Sequence, residues 1–148
     1  MPEKETLERA AEDKAEGKSP STQAGEFVHE EIEHIREGKH GARSAKQAIA
    51  IGLSKARRAG VKLPAPKKGA ASKRTRKQAA RDLKKGQKAS KATKSARRSQ
   101  ATSRVLKREG HSAASKTALS RQAHRAAAKR SAASRSRSAK KAAATRKK

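Results

Sequence analysis

Past residue 68 this chain has only four apolar side chains larger than alanine: Leu83, Val105, Leu106 and Leu119. Fixing one residue's backbone costs about 1–2 kcal/mol of conformational entropy, and a fully buried large side chain returns about 1.5–3 kcal/mol. Four such side chains cannot order the rest of the chain by hydrophobic burial. The second half is therefore expected to be disordered, or only transiently helical, when free. The larger apolar residues cluster earlier, at Phe27, Val28, Ile32, Ile35, Ile49, Ile51 and Leu53, where a small core can form.

Charge is segregated just as strongly. Residues 1–37 hold 11 of the 13 acids and five bases, a net charge of −6. Residues 38–148 hold 36 of the 41 Lys and Arg and only Asp82 and Glu109 as acids, a net charge of +34. Each Lys or Arg that meets a nucleic-acid phosphate releases a condensed counterion, so a surface this basic is driven onto polyanions without reading sequence. There is no cysteine, which excludes disulfide scaffolds, thiolate metal sites and thiol nucleophiles. The N-terminus has no apolar stretch of the secretory kind. The longest apolar run, Ala48 to Leu53, is far short of the ~20 residues a membrane span needs. A soluble, intracellular protein is the expectation.

Residues 1–18 read as an acidic helical arm, with Leu7 the one large apolar residue of its helix at 3–16. Ser19-Pro20 is a helix start, serine at the cap and proline in the first turn. Ala24, Phe27, Val28, Ile32 and Ile35 then fall on one face of a 3.6-residue helix, which Gly38 ends. Ser44 with Gln47 forms a capping box for a second helix, whose face carries Ala45, Ala48, Ile49, Gly52, Leu53 and Ala56 up to Gly60. Two helices of similar length and a short connection predict an antiparallel hairpin over 19–60. So thin a core suggests a homodimer through the hairpin. Residues 61–72 form a Pro/Gly/Ala/Lys linker, and 73–148 a low-complexity Ala/Ser/Lys/Arg tail. Neutralisation by phosphates is expected to favour tail helices at 74–85, 97–109 and 113–130. The fold class is thus all-α: a small hairpin, an acidic arm, and a long disordered or transiently helical basic tail. The segments at 35–40 and 106–111 also echo one another, each a helix end followed by Gly and His.

The block Lys46-Gln47-Ala48-Ile49-Ala50-Ile51-Gly52-Leu53-Ser54-Lys55-Ala56-Arg57-Arg58-Ala59-Gly60, with Ser21–Val28 and Ile35–Gly41 before it, resembles a family of small basic bacterial proteins whose domain has no established function. The resemblance covers roughly residues 1–68, implies a bacterial cytoplasmic protein, and carries no site residues with it. The tail is similar in composition to the Lys/Ala-rich tails of bacterial linker-histone-like proteins.

Candidate phosphate-binding residues fall in two groups. Lys39, Arg43, Ser44 and Lys46 surround the start of the second hairpin helix, where free N–H groups and the helix dipole favour an anion. The tail contributes Lys73, Arg74, Arg76, Lys77, Lys84, Lys85, Arg97, Arg98, Lys107, Arg108, Lys129, Arg130, Lys140, Lys141, Arg146, Lys147 and Lys148. At a tail net charge of +25, with 27 bases against two acids, polyanion binding explains these clusters better than a solvated face does. Lys55, Arg57, Arg58 and Lys62 complement the dipole at the far end of the same helix and need no ligand. His29 and His34 are five residues apart, about 140° around a helix, so they do not chelate one ion together and read as surface residues. His40, His111 and His124 are isolated in basic surroundings. No phosphate loop or nucleophile–base pair is present, so neither an enzyme, a cofactor nor a metal is expected. Phe27 is the only aromatic residue, so there is no platform for stacking bases.

The function expected from this pattern is nonspecific DNA binding by a histone-like, nucleoid-associated protein acting through its cationic tail. The acidic arm is expected to fold against that tail and compete with DNA. One alternative is an RNA- or ribosome-associated basic protein. Another is a protein-interaction or stress-protection module whose tail is a solubiliser.

Overall fold

The computed structural model describes residues 1–88 and 95–146. Among these the chain is all-helical: α1 (Lys4–Ala15), α2 (Pro20–Arg36), α3 (Ala45–Arg58), α4 (Lys73–Gln87), α5 (Ala96–Arg108), a 3-10 turn (Ser112–Ala114), α6 (Lys116–Ala128) and α7 (Ala132–Arg146). No helix among the described residues is long and apolar enough to cross a membrane.

Serine starts most of these helices. The hydroxyls of Ser19, Ser44, Ser72, Ser95 and Ser115 accept from the amides of Thr22, Gln47, Thr75, Arg98 and Ala118, each three residues on. Ser131 Oγ accepts from Ser134 N in the same way at α7. Each bond satisfies one of the donors a helix start leaves open, worth about 1 kcal/mol. Gly17, Gly38 and Gly60 take positive φ at the ends of α1, α2 and α3.

α2 and α3 form the predicted antiparallel hairpin. Ile32 and Ile35, late in α2, pack with Ala48, early in α3, while Phe27 packs with Ala56 at the opposite end. Gly52 sets the spacing. A Cβ there would lie 2.7 Å from Val28 Cα and 2.9 Å from Phe27 O, both backbone atoms that cannot swing aside. Gly52→Ala should therefore lower stability by about 1–3 kcal/mol, although alanine is intrinsically the better helix former by about 1 kcal/mol. Thermal melting followed by far-UV circular dichroism checks this, and an unchanged or raised midpoint would contradict the close approach.

The arm lies on α2, not on the tail. α1 turns Thr6, Ala10 and Asp13 inward and leaves Leu7 42% exposed. Its small residues allow an approach that leucine would hold off. Glu3 joins it to the hairpin, with Oε1 at 2.8 Å from His34 Nε2 and 3.1 Å from Lys39 Nζ, and Arg9 pairs with Glu26 at 2.8 Å. The expected competition between arm and DNA for the tail thus gives way to arm–hairpin pairing.

The basic tail also departs from expectation. Its described residues lie mostly in α4–α7 rather than in disordered chain. Alanine, lysine and arginine are good helix formers, and serine caps supply the starts. Docking then uses small and polar groups, which an inventory of large apolar residues overlooks. α4 is held on α3 by Asp82, which is fully buried and accepts from Ser54 Oγ (2.6 Å), Arg58 Nε (2.7 Å) and Gln78 Nε2 (3.1 Å). Ala113 and Ala114 of the 3-10 turn are buried with Ile32, Ile35, Ala42 and Ala48, and Arg36 Nε donates to Ala114 O at 3.1 Å. The segment read as a linker is tied down too: Arg57 donates to the carbonyls of Leu63 and Pro64, both at 3.1 Å, and Val61 is buried. Burial pulls the Arg57 guanidinium below its ordinary value. Cover for the hairpin, expected from a second copy, comes in part from the chain's own α1, α4 and 3-10 turn.

Candidate nucleic-acid interface

The turn between α2 and α3 meets the turn between α5 and α6 backbone to backbone. Gly41 N donates to Leu106 O at 2.9 Å, and Ala42 N to Gly110 O at 3.0 Å. Only glycine fits at 41, since a Cβ would fall 1.9 Å from Glu109 O. Gly41 and Ala42 directly follow the first of the two segments that echo one another in the sequence, and their acceptors lie in the second.

Beside this junction α6 crosses the start of α3 and encloses a cleft of about 390 Å³. Arg43, Ser44 and Lys46 line one wall, and Arg121, Gln122 and Arg125 line the other. The α3 side is fixed by its cap: Ser44 Oγ accepts from Gln47 N at 3.2 Å, and Gln47 Oε1 accepts from Arg43 N at 2.8 Å. The first amides of α3 have no intrahelical acceptor and point out of the helix end. On α6, Arg121 and Arg125 are one turn apart and share a face. The walls carry four cations and no carboxylate. The nearest acid pairing is Glu109 Oε1 with Arg43 Nη2 at 3.5 Å, and Arg43 remains mostly exposed. A helix start with oriented N–H groups, two guanidiniums opposite and no carboxylate in the walls can cradle a phosphate-like oxyanion.

Arg43, Ser44 and Lys46 thus line one wall of the cleft together. Lys39 does not join them. Its ammonium is 2.9 Å from Glu37 and 3.1 Å from Glu3, and these hydrogen bonds hold it above the ordinary lysine range. A lysine so paired is already neutralised. Arg121 and Arg125 stand in no run of adjacent cations; their signal in the sequence is the four-residue spacing.

The tail candidates are spread over helices rather than gathered. Lys73, Arg74, Lys77, Lys84 and Lys85 are exposed on α4, while Arg76 is half-buried. Arg97 and Arg98 lie in the first turn of α5, and Lys107 and Arg108 in its last. Lys129 follows α6, and Lys140, Lys141 and Arg146 are exposed on α7. Arg130 is partly spent within the chain, its guanidinium donating to Ser134 O at 3.0 Å and to Ser138 Oγ. Lys147 and Lys148 lie outside the described residues. The first turns of α4 and α5 hold no acid and carry Lys73, Arg74, Arg97 and Arg98. Cations are disfavoured at that end of a helix dipole, so an arriving anion relieves the strain.

The histidines also differ from expectation. His29 is exposed, but His34 and His40 are half-buried, their rings edge-to-face with centroids 6.2 Å apart. His40, far from standing isolated in basic surroundings, faces Glu31, and His34, expected at the surface, faces Glu3 and Glu30.

Comparison with curated proteins and with solved structures finds no match. Residues 17–68, about a third of the chain and the part that forms α2, α3 and their turn, match the model of a family of unknown function (DUF6496).

Proposed function

We propose that the chain binds duplex DNA nonspecifically, through the phosphate backbone, as a histone-like nucleoid-associated protein. The observation that carries this reading is the cationic cleft, where the capped start of α3 and the Arg121/Arg125 face of α6 converge with no acid in the walls. Around it, α4–α7 present exposed lysines and arginines in quantity. Phosphate contacts of this kind fix a protein on nucleic acid without reading bases. The one aromatic ring, Phe27, is buried in the hairpin, so unstacked bases have no platform to sit on. That favours a duplex over single-stranded RNA.

The test is a gel-shift series with the full chain on several unrelated duplexes and on a structured RNA at matched salt. Equal affinity across the duplexes, higher than for the RNA, is expected. Arg121→Glu with Arg125→Glu should weaken duplex binding about 10-fold or more, since two phosphate contacts are lost and two repulsions gained. Preference for the RNA would favour the ribosome-associated alternative. Binding of one duplex above the others would mean that bases are being read.

A further inference from the structure

We infer that Glu31, His34 and His40 form a binding site for one borderline divalent transition-metal ion, of which Zn²⁺ is the type. One ligand atom from each residue lies within 4.8 Å of the other two. Glu31 and His34 are one turn apart on α2, three residues along the same face, and His40 reaches in from the turn that follows. Two imidazoles and one carboxylate are the donors such ions take, and three protein ligands leave a fourth position open.

The hydrogen bonds behind the two rings fix which nitrogens are free. His40 Nδ1 is 3.1 Å from Gly41 O. A carbonyl only accepts, so Nδ1 carries the hydrogen and Nε2 is left with a lone pair. That Nε2 is 3.2 Å from Glu31 Oε1. Two ligand atoms on a tetrahedral ion with bonds of about 2.0–2.1 Å stand about 3.3 Å apart, so this edge is already at the coordinating distance. His34 Nε2 is 2.8 Å from Glu3 Oε1. A carboxylate also only accepts, so Nε2 donates and Nδ1 is left to coordinate. Both histidines therefore have the backing that metal-bound imidazoles use: a hydrogen bond from the far nitrogen to an oxygen that fixes tautomer and ring direction.

Glu31 supplies the independent observation. Its side chain is 1% exposed, and neither carboxylate oxygen is aligned with a hydrogen-bond donor, although Lys55 Nζ sits 2.7 Å from Oε2. Lys55 offsets one side of the carboxylate. Oε1, on the other side, faces the lone pair of His40 with nothing between them. A buried carboxylate oxygen opposite an imidazole lone pair is an unfavourable pair that a cation between them makes favourable. A proton on His40 Nε2 is the competing solution, and the experiment separates the two.

The 148-residue chain, freed of metal by dialysis against a chelator, is titrated calorimetrically with Zn²⁺, and its melting temperature is followed alongside. Uptake of one equivalent with a rise in melting temperature is expected. His34→Ala and His40→Ala should each weaken binding at least 10-fold, Glu3→Gln about 10-fold or more through the lost charge behind the ring, while His29→Ala and His124→Ala leave it unchanged. Co²⁺ in place of Zn²⁺ should give the visible absorption of a low-coordinate nitrogen/oxygen site, lost in His40→Ala. If His40→Ala does not fold, Glu3→Gln decides, since it leaves the hairpin core untouched. No Zn²⁺ uptake, or uptake indifferent to residues 3, 34 and 40, would overturn the assignment and leave a proton as the occupant.

Discussion

Raising the salt from 50 to 200 mM is expected to weaken duplex binding by about 10³–10⁵-fold, the loss that follows from releasing counterions at six to ten phosphates. The tail's net charge of +25 is more than enough for ten contacts. Helical structure limits how many can be made at once. Seven cations lie within α4 alone, at 73, 74, 76, 77, 81, 84 and 85, and they point around the whole helix. One duplex therefore meets only part of them, which is why six to ten is a better expectation than the full count. Fluorescence anisotropy of a labelled duplex over a salt series measures the slope directly. A slope near zero would sink the phosphate reading altogether.

Lys55→Met is expected to destabilise the hairpin by about 3–5 kcal/mol, the effect of removing one partner from a buried charge cluster. Lys55 Nζ lies 3.2 Å from Glu30 Oε1 and 2.7 Å from Glu31 Oε2, and those two side chains are 2% and 1% exposed. Burial acts to lower the ammonium's affinity for its proton, yet contact with Glu31 and Glu30 outweighs it and leaves Lys55 above the ordinary lysine value. Burial likewise acts to raise Glu30, and the Glu3 amide, the Thr6 hydroxyl and Lys55 together hold it below the ordinary carboxylate value. Methionine would fill the same space and leave both acids without their cation. Small domains have about 5–15 kcal/mol of stability in total, so the loss would be a large fraction of it. Urea unfolding measures the change. A loss under about 1 kcal/mol would mean that water reaches Glu30 and Glu31 more easily than their burial implies.

The hairpin was legible because its signals are local. Ser19-Pro20, Gly38, Ser44 and Gly60 mark the ends of α2 and α3 to within a residue or two, and the apolar spacing between them picks out the buried faces. The docking of the tail was not legible, because nothing local encodes it. Val105, one of the four large apolar side chains past residue 68, is 53% exposed, while the residues that pack are Ala79, Ala113, Ala114 and the acid Asp82. Alanine attracts no notice in a chain full of alanine, and a buried aspartate is recognisable only once Ser54 and Arg58 are seen beside it. The cleft divides the same way. Ser44 and its basic neighbours announce a helix start, but their opposite wall is set by the pairing of Gly41 and Ala42 with a distant turn. The histidines show the limit of spacing within one helix: His29 and His34 make no chelating pair, whereas His40, whose ring meets that of His34, lies beyond the helix end.

The serine-started helices of the tail have a mechanical consequence. α5 and α6 are 13 residues each and α7 is 15, so at 1.5 Å per residue each is a rod about 20 Å long. One turn of duplex rises about 34 Å. A single stiff rod longer than that turn would leave the curving backbone or have to bend. Rods of two-thirds of a turn, re-angled at short joints near 109–115 and 129–131, can each lie flat on their own stretch of backbone. On the proposed ligand the tail would then behave as a jointed chain that follows curvature it does not impose.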